Sequence, residues 1–335
     1  MTVKDLTWGP SSTQGRTMRA IGLHEFGGPD VLHPVEVPRP HAGPGEVRIH
    51  VRAAAVNPAD LHLRRGFVRA ATMRPPYIPG QDAAGVIDEI GPGTRTTLRV
   101  GDPAIAMVLP IGPRGGAYVE YLTLPARWVA RAPVGPSTVE AATLPLNGLT
   151  ARLALDQLEL PPGSTLGVTG AVGGVGGYLV QLAKSDGLQV IADARPGDEA
   201  LVRALGADQV VQRGTSFAHQ VRDLVPAGLD AIADAAGVGL PALSAVRDGG
   251  QIAVIGSSHG HVPDGSSGLE RGISARRVFV PDYGGRSDKL EELSRLAETG
   301  ALSLRVADIL PAERAPEAHR RLEAGGSRGR IVLTF

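Results

Sequence analysis

Two textures of hydrophobic patterning alternate along the chain. Between Met18 and about Leu144, short apolar runs are cut by Gly and Pro. Val47-Arg48-Ile49-His50-Val51-Arg52, Gly85-Val86-Ile87-Asp88-Glu89-Ile90 and Tyr118-Val119-Glu120-Tyr121-Leu122 read as β-strands, because they alternate or carry β-branched residues between turn signals. Prolines at positions 34, 38, 40, 44, 58, 75, 76 and 79 exclude long helices there, so a small β-barrel-like unit is expected. At about Thr143 the pattern changes. Leu149–Leu158 has helical periodicity. Strands at Leu166–Thr169, Gln189–Ala192, Gln209–Val211, Leu229–Asp234 and Gln251–Gly256 then alternate with helices at Gly174–Lys184, Glu199–Leu205, Phe217–Val225 and Leu240–Arg247. Such alternation predicts βαβ units: an α/β fold with a doubly wound parallel sheet. From about Val278 the first texture returns and ends in a strand at Gly329–Phe335. The simplest organisation is a loose arm at 1–17, a discontinuous barrel-like domain at 18–143 and 278–335, and an inserted α/β domain at 144–277.

Candidate chemistry begins at Leu166-Gly167-Val168-Thr169-Gly170-Ala171-Val172-Gly173-Gly174-Val175-Gly176, between a predicted strand and an amphipathic helix. The spacing is that of a Rossmann turn with Ala171 where the first glycine often stands. Gly173 lets the backbone approach a pyrophosphate, Gly176 lets helix pack on strand, and the helix N-terminus at Gly174 and Val175 offers free N–H groups and a positive dipole end. The second strand ends Asp193-Ala194-Arg195. An acid here selects NAD through the ribose 2′-OH. Side chains of a strand alternate faces, so Asp193 and Ala194 point opposite ways. With Ala194 toward the ribose, a 2′-phosphate has room, and Arg195 and Arg213 are its candidate partners. NADP is therefore expected ahead of NAD.

Composition narrows the picture by exclusion. The 335 residues suggest two domains at about 150 residues each. Lys+Arg and Asp+Glu are 34 each, which argues against a broad basic face for nucleic acid or a membrane surface. Absence of cysteine excludes disulfides, thiolate nucleophiles, iron–sulfur clusters and Cys-ligated zinc. No run of about 18 apolar residues predicts a transmembrane helix, and Met1–Pro10 lacks a signal pattern, so a cytoplasmic protein is expected.

Several segments together resemble the medium-chain dehydrogenase/reductase superfamily, in its zinc-independent quinone oxidoreductase (zeta-crystallin-like) branch. They are Gly27-Gly28-Pro29-Asp30-Val31-Leu32, Pro44-Gly45-Glu46-Val47, Val56-Asn57-Pro58-Ala59-Asp60, Pro79-Gly80-Gln81-Asp82-Ala83-Ala84-Gly85-Val86, Leu144-Pro145 with Gly148-Leu149-Thr150-Ala151, the Ala171–Gly176 loop, and Arg328-Gly329-Arg330-Ile331-Val332-Leu333. The resemblance implies a GroES-like barrel around a Rossmann domain. Zinc-dependent members carry Cys where Asn57 stands and His where Gln81 stands, so no metal is expected. Without a Lewis acid on the oxygen, a conjugated acceptor suits hydride transfer better than a plain ketone. NADPH-dependent reduction of a quinone or enone is the activity implied. An enoyl reductase of a secondary-metabolite pathway and a non-catalytic NADPH-binding protein are the alternatives.

The resemblance also distributes roles. Asn57 is expected near nicotinamide and substrate, His62 as a proton donor where relatives carry Tyr, and Asp60 as a cap of the short helix Leu61–Arg65. Phe67-Val68 departs from a family tyrosine. Gln81 and Asn147 are candidate substrate contacts. Thr150, Ile255-Gly256-Ser257, Phe279-Val280-Pro281 and Arg328 are candidate cofactor contacts, the last toward a 2′-phosphate. A homodimer is expected through an edge formed by Gln251–Ile255 and Ser274–Val280.

Overall fold

In the computed structural model, residues 13–112, 114–256 and 270–335 are described. The chain divides into two units. One runs up to Leu146 and includes Pro281–Thr299 and Leu304–Phe335; the other is Asn147–Val280 with Gly300–Ser303.

The first unit holds β1 (Thr13–Gly22), β2 (His33–Pro40), β3 (Glu46–Ala55), α1 (Pro58–Arg64), β4 (Asp82–Ile90), β5 (Pro103–Met107), β6 (Tyr121–Pro125), β7 (Val129–Arg131) and α2 (Thr138–Ala141). The second holds nearly all of α3 (Pro145–Leu158), then β8 (Thr165–Thr169), α4 (Gly174–Ser185), β9 (Gln189–Ala194), α5 (Glu199–Ala204), β10 (Gln209–Gln212), α6 (Phe217–Leu224), β11 (Leu229–Asp234), β12 (Val246–Ile255) and β13 (Ser274–Val278). The first unit is completed by α7 (Ser287–Glu298), β14 (Val306–Pro311), α8 (Ala315–Ala324) and β15 (Arg330–Thr334).

In the first unit the strand order is β14-β15-β3-β4-β5-β7, with β6 paired to β3, while β1 and β2 form an antiparallel pair. Val47, Ile49, Val51 and Ala53 on β3 are buried because the sheet curls around them. The second unit is a parallel sheet in the order β10-β9-β8-β11-β12-β13. The middles of its central strands are apolar, Leu166–Val168 on β8 and Ala231–Ala233 on β11, as suits strands covered on both faces. Ile191, Val211, Phe217, Val221, Ile232, Val246 and Ile252 form one buried cluster. Each such large side chain contributes about 1.5–3 kcal/mol on burial.

Three expectations change. The last five residues of the expected arm belong to β1, because Thr17–Gly22 pairs with His33–Pro38 and the strand runs back to Thr13; residues 1–12 lie outside the described residues. The helix expected at Leu240–Arg247 is a 3-10 segment over Leu240–Ala245, after which β12 begins at Val246. Six residues gain too little from an α-helical nucleus, and burial of Val246 in the cluster favours the strand. The strand expected at Tyr118–Leu122 starts at Tyr121, since Tyr118 turns its ring inward.

Candidate functional site

The second unit builds a phosphate-sized turn. β8 ends at Thr169, whose hydroxyl donates to the buried Asp234 at 2.5 Å; Asp234 also accepts the N–H groups of Val238 and Gly239 at 3.0 and 2.8 Å. This ties together the carboxyl ends of β8 and β11, where ligands of doubly wound sheets bind. A Cβ on Gly176 would lie 2.1 Å from the Gly170 carbonyl oxygen, so only glycine lets α4 start there. The N–H groups of the first turn of α4 have no acceptor within the helix, and Val172–Val175 are partly open to solvent. A cradle that side chains would fill, capped by a twelve-residue helix dipole, fits a pyrophosphate.

Asp193 enters this turn from below. Its Oδ1 accepts the N–H groups of Gly170 and Ala171 at 2.6 and 3.2 Å, and Arg213 stands 3.7 Å from Oδ2. Burial raises its carboxyl above the ordinary range, with the two amides and Arg213 opposing. The amides of Gly170 and Ala171 are therefore spent on Asp193, and those two residues shape the turn. Asp193 itself is turned away from the ribose-binding role that an acid at this strand end could take. Ala194 is buried, whereas Arg195 and Arg213 are exposed.

The first unit contains a buried polar network. Pro58 starts α1 and Asn57 caps it, with the Asn57 N–H donating to Asp60 Oδ2 at 2.8 Å. Gly80, at φ +106°, donates its N–H to Asp60 Oδ1 at 2.9 Å. One carboxylate thus joins the two turns that carry Asn57 and Gln81. The Asn57 Nδ2 group donates to Asp82 Oδ2 at 2.7 Å and to the Ala55 carbonyl at 3.2 Å, while its Oδ1 accepts from Arg330, which also reaches the Val56 carbonyl. Asp82 Oδ1 accepts the Leu146 N–H at 2.6 Å. Asn57, Asp60 and Asp82 are all fully buried.

Burial of two carboxylates has a cost that shows in their titration. Asp60 is pushed up to about 7 by burial, against the pull of the Asn57 and Gly80 amides. Asp82 is pushed up to about 6 by burial, against the Leu146 amide and Asn57. On the far side of Asp60, the Tyr118 hydroxyl donates to Oδ2 at 3.4 Å and lies 3.2 Å from His319 Nε2. Burial lowers His319 to about 3, with Arg64 adding to the effect, so the ring is neutral. A tautomer with the proton on Nε2 satisfies the chain: His319 donates to Tyr118, and Tyr118 donates to Asp60.

The expected site residues fall as follows. Asn57 has every polar atom of its amide engaged inside the first unit, which makes it an organiser of its surroundings. Asp60 caps α1 as expected. His62 is half-buried with its edge toward Phe67, and burial together with Arg65 lowers its pKa, so it stays neutral near pH 7 and is a poor acid there. Phe67 itself is exposed. Gln81 is half-buried beside this network, its carbonyl accepting from Val108. Asn147 and Thr150 are buried on α3. Ile255 ends β12 and Gly256 follows it exposed, while Ser257 lies outside the described residues. Phe279 is exposed beneath Arg277, and Val280 is half-buried. Arg328 lines an open groove of about 560 Å³ with Asp308, Arg321 and Ser327. Sequence reasoning missed Asp82, Tyr118, His319 and Arg330 as members of the network. The available signal was charge inside apolar runs: Arg330 precedes Ile331-Val332-Leu333, and Asp82 precedes Ala83-Ala84.

Among the described residues, no three His, Asp or Glu side chains cluster to hold a metal ion. The donor chemistry disagrees with zinc as well. An amide stands at Asn57, its oxygen faces a guanidinium, and the chain has no thiolate to offer.

A two-unit architecture with a glycine-cradled parallel sheet and a barrel built from both chain ends defines a nucleotide-dependent dehydrogenase fold. Residues 43–134 match the alcohol dehydrogenase GroES-like domain, and residues 205–333 match the zinc-binding dehydrogenase family. A chloroplastic quinone oxidoreductase of Triphysaria versicolor is 38% identical over 209 residues; the match covers 60% of this chain and 63% of that protein. Two solved structures share the fold across 95% of this chain and 100% of theirs: an NAD-dependent alcohol dehydrogenase (31% identical, TM-score 0.83) and a mycobacterial protein complexed with NADPH (30% identical, TM-score 0.82). The chain belongs to the medium-chain dehydrogenase/reductase superfamily, in its quinone oxidoreductase-like branch.

Proposed function

We propose that this protein is an NADPH-dependent reductase of conjugated carbonyl compounds, quinones or enones, that works without a metal ion. Bound at the Gly173–Gly176 cradle, a reduced nicotinamide dinucleotide would supply the hydride. The residues of the chain hold, orient and stabilise. The first turn of α4 would take the pyrophosphate. Arg195 and Arg213 are both exposed, Arg213 beside Asp193, where they would meet a 2′-phosphate, and the small buried Ala194 leaves room for it. Barrel residues near Gln81 would contact the acceptor.

The observation that carries this reading is the Arg330–Asn57–Asp82 contact. The place where a zinc-dependent relative binds its cation is occupied by an amide already saturated by a carboxylate and a guanidinium. A plain ketone reduced there would lack an electrophilic partner for its oxygen, whereas a conjugated acceptor delocalises the incoming charge by itself. The similar quinone oxidoreductase and the NADPH-bound neighbour point the same way; the similar NAD-dependent enzyme makes coenzyme choice the part to test. The outer edge of β13, which ends the sheet, is read as the pairing edge of a homodimer.

Fluorescence titration with NADPH and NADH, followed by NADPH consumption with quinones and 2-enones, tests the proposal. Arg195→Ala should weaken NADPH binding about tenfold or more and leave NADH unchanged, as loss of a charge-assisted hydrogen bond predicts. Tight NADPH binding with no consumption across the panel would instead make this a binding protein.

A further inference from the structure

Asn147 lies in the first turn of α3 and is only 3% exposed, yet its Nδ2 group has no hydrogen-bond partner among the described residues. A buried amide donor left unpaired is costly, and a group that enters from outside the chain can complete it. Its neighbours indicate which ligand. The preceding residue, Leu146, is held through its N–H by Asp82, the carboxylate that also orders Asn57. Asn147 is thus bonded directly to the residue anchored at the Asn57–Asp82 network, and the phosphate turn and Arg195 belong to other segments of the chain. Thr150 follows at i+3, on the same helix face, and is buried as well.

We propose that the Asn147 side-chain amide donates a hydrogen bond to the carbonyl oxygen of the acceptor and so selects alkenes activated by a carbonyl group, an inference that rests on the reductase reading above. As hydride adds to the β-carbon of the acceptor, the alkene pair shifts toward the α-carbon and the carbonyl pair moves onto oxygen, giving an enolate. A proton from water then adds at the α-carbon, and the nicotinamide leaves oxidised. The oxygen is where charge builds, and a preplaced neutral donor in a dry surrounding stabilises it more than it stabilises the ground-state ketone. The amide thereby fills, for carbonyl-activated substrates, the electrophilic role that the Asn57 region cannot supply.

Asn147→Leu and Asn147→Ser separate the possibilities. In the leucine variant, kcat/KM for cyclohex-2-enone should fall about 100-fold, mostly in kcat, as for loss of an oxyanion donor. NADPH affinity should stay within about twofold, and Tm of the ligand-free protein should rise, because an unpaired buried amide has been replaced by a packed apolar group. The serine variant, which keeps a donor, should recover part of kcat. Weakened NADPH binding with intact acceptor kinetics would overturn the proposal in favour of a coenzyme contact. A lower Tm with unchanged kinetics would overturn it in favour of a structural partner within the chain. Wild-type protein that binds NADPH but reduces no acceptor would instead refute the reductase reading itself.

Discussion

Asn57 sits where three buried interactions meet, and removing its side chain exposes what each one requires. In Asn57→Ala, Asp82 loses the amide donor that shares it with the Leu146 N–H, and Arg330 loses the Asn57 oxygen. A buried charge stripped of a partner costs about 2–4 kcal/mol, which equilibrium urea unfolding should record. His319 makes a prediction with a definite sign. Its pKa falls from 6.5 to about 3 on folding, so between those values the unfolded chain binds more protons, and the native state loses stability as pH drops through the window. His319→Gln removes this component. The deficit of the variant relative to wild type should therefore shrink by about 2 kcal/mol between pH 7.5 and pH 5, from 1.5 pH units at about 1.36 kcal/mol each. An unchanged deficit would mean that His319 is not held neutral. Neither role was legible beforehand. Asn57 and Asp60 stand out in a short motif, but Tyr118 and His319 are 201 residues apart, and only the closed barrel brings the hydroxyl to the ring.

Elements were more readable than side chains. The parallel sheet of the second unit follows from strand–helix alternation, and four of its helices begin within a few residues of where periodicity put them. The misplaced helix has a tertiary cause. Leu240–Arg247 has helical composition, yet burial of Val246 and pairing of Leu229 with Val246 draw its end into β12. The phosphate turn was legible because its constraint is steric and local. Gly176→Ala tests that constraint. A methyl group 2.1 Å from a backbone oxygen cannot be absorbed by a rotamer change, so α4 must shift away from β8. NADPH affinity should drop at least tenfold, read by fluorescence titration, with the far-UV circular dichroism of the sheet retained. Wild-type affinity would show that the close approach does not shape the binding turn. Asp193 is the counterexample: its spacing after the glycines suggests a ribose ligand, but the backbone places it beneath the loop, holding two amides.

For the molecule as a whole, both chain ends build the barrel-like unit, since β15 pairs with β3 and β14 while the intervening segment forms the nucleotide-binding sheet. The return of the first texture after Val278 made that discontinuity readable. The outer edge of β13 predicts that light scattering will give twice 34.7 kDa in solution, and a stable monomer would remove the edge-pairing reading. The central claim, reduction of a conjugated acceptor without a cation, is tested most directly by isotope transfer. Chelator-treated protein is incubated with NADPH carrying deuterium at both nicotinamide C4 positions and with cyclohex-2-enone, and the product is analysed by mass spectrometry. One deuterium on the β-carbon, at a rate unaffected by the chelator, is the result predicted here. Product that is unlabelled there, or activity that returns only when a divalent metal is added back, would contradict it.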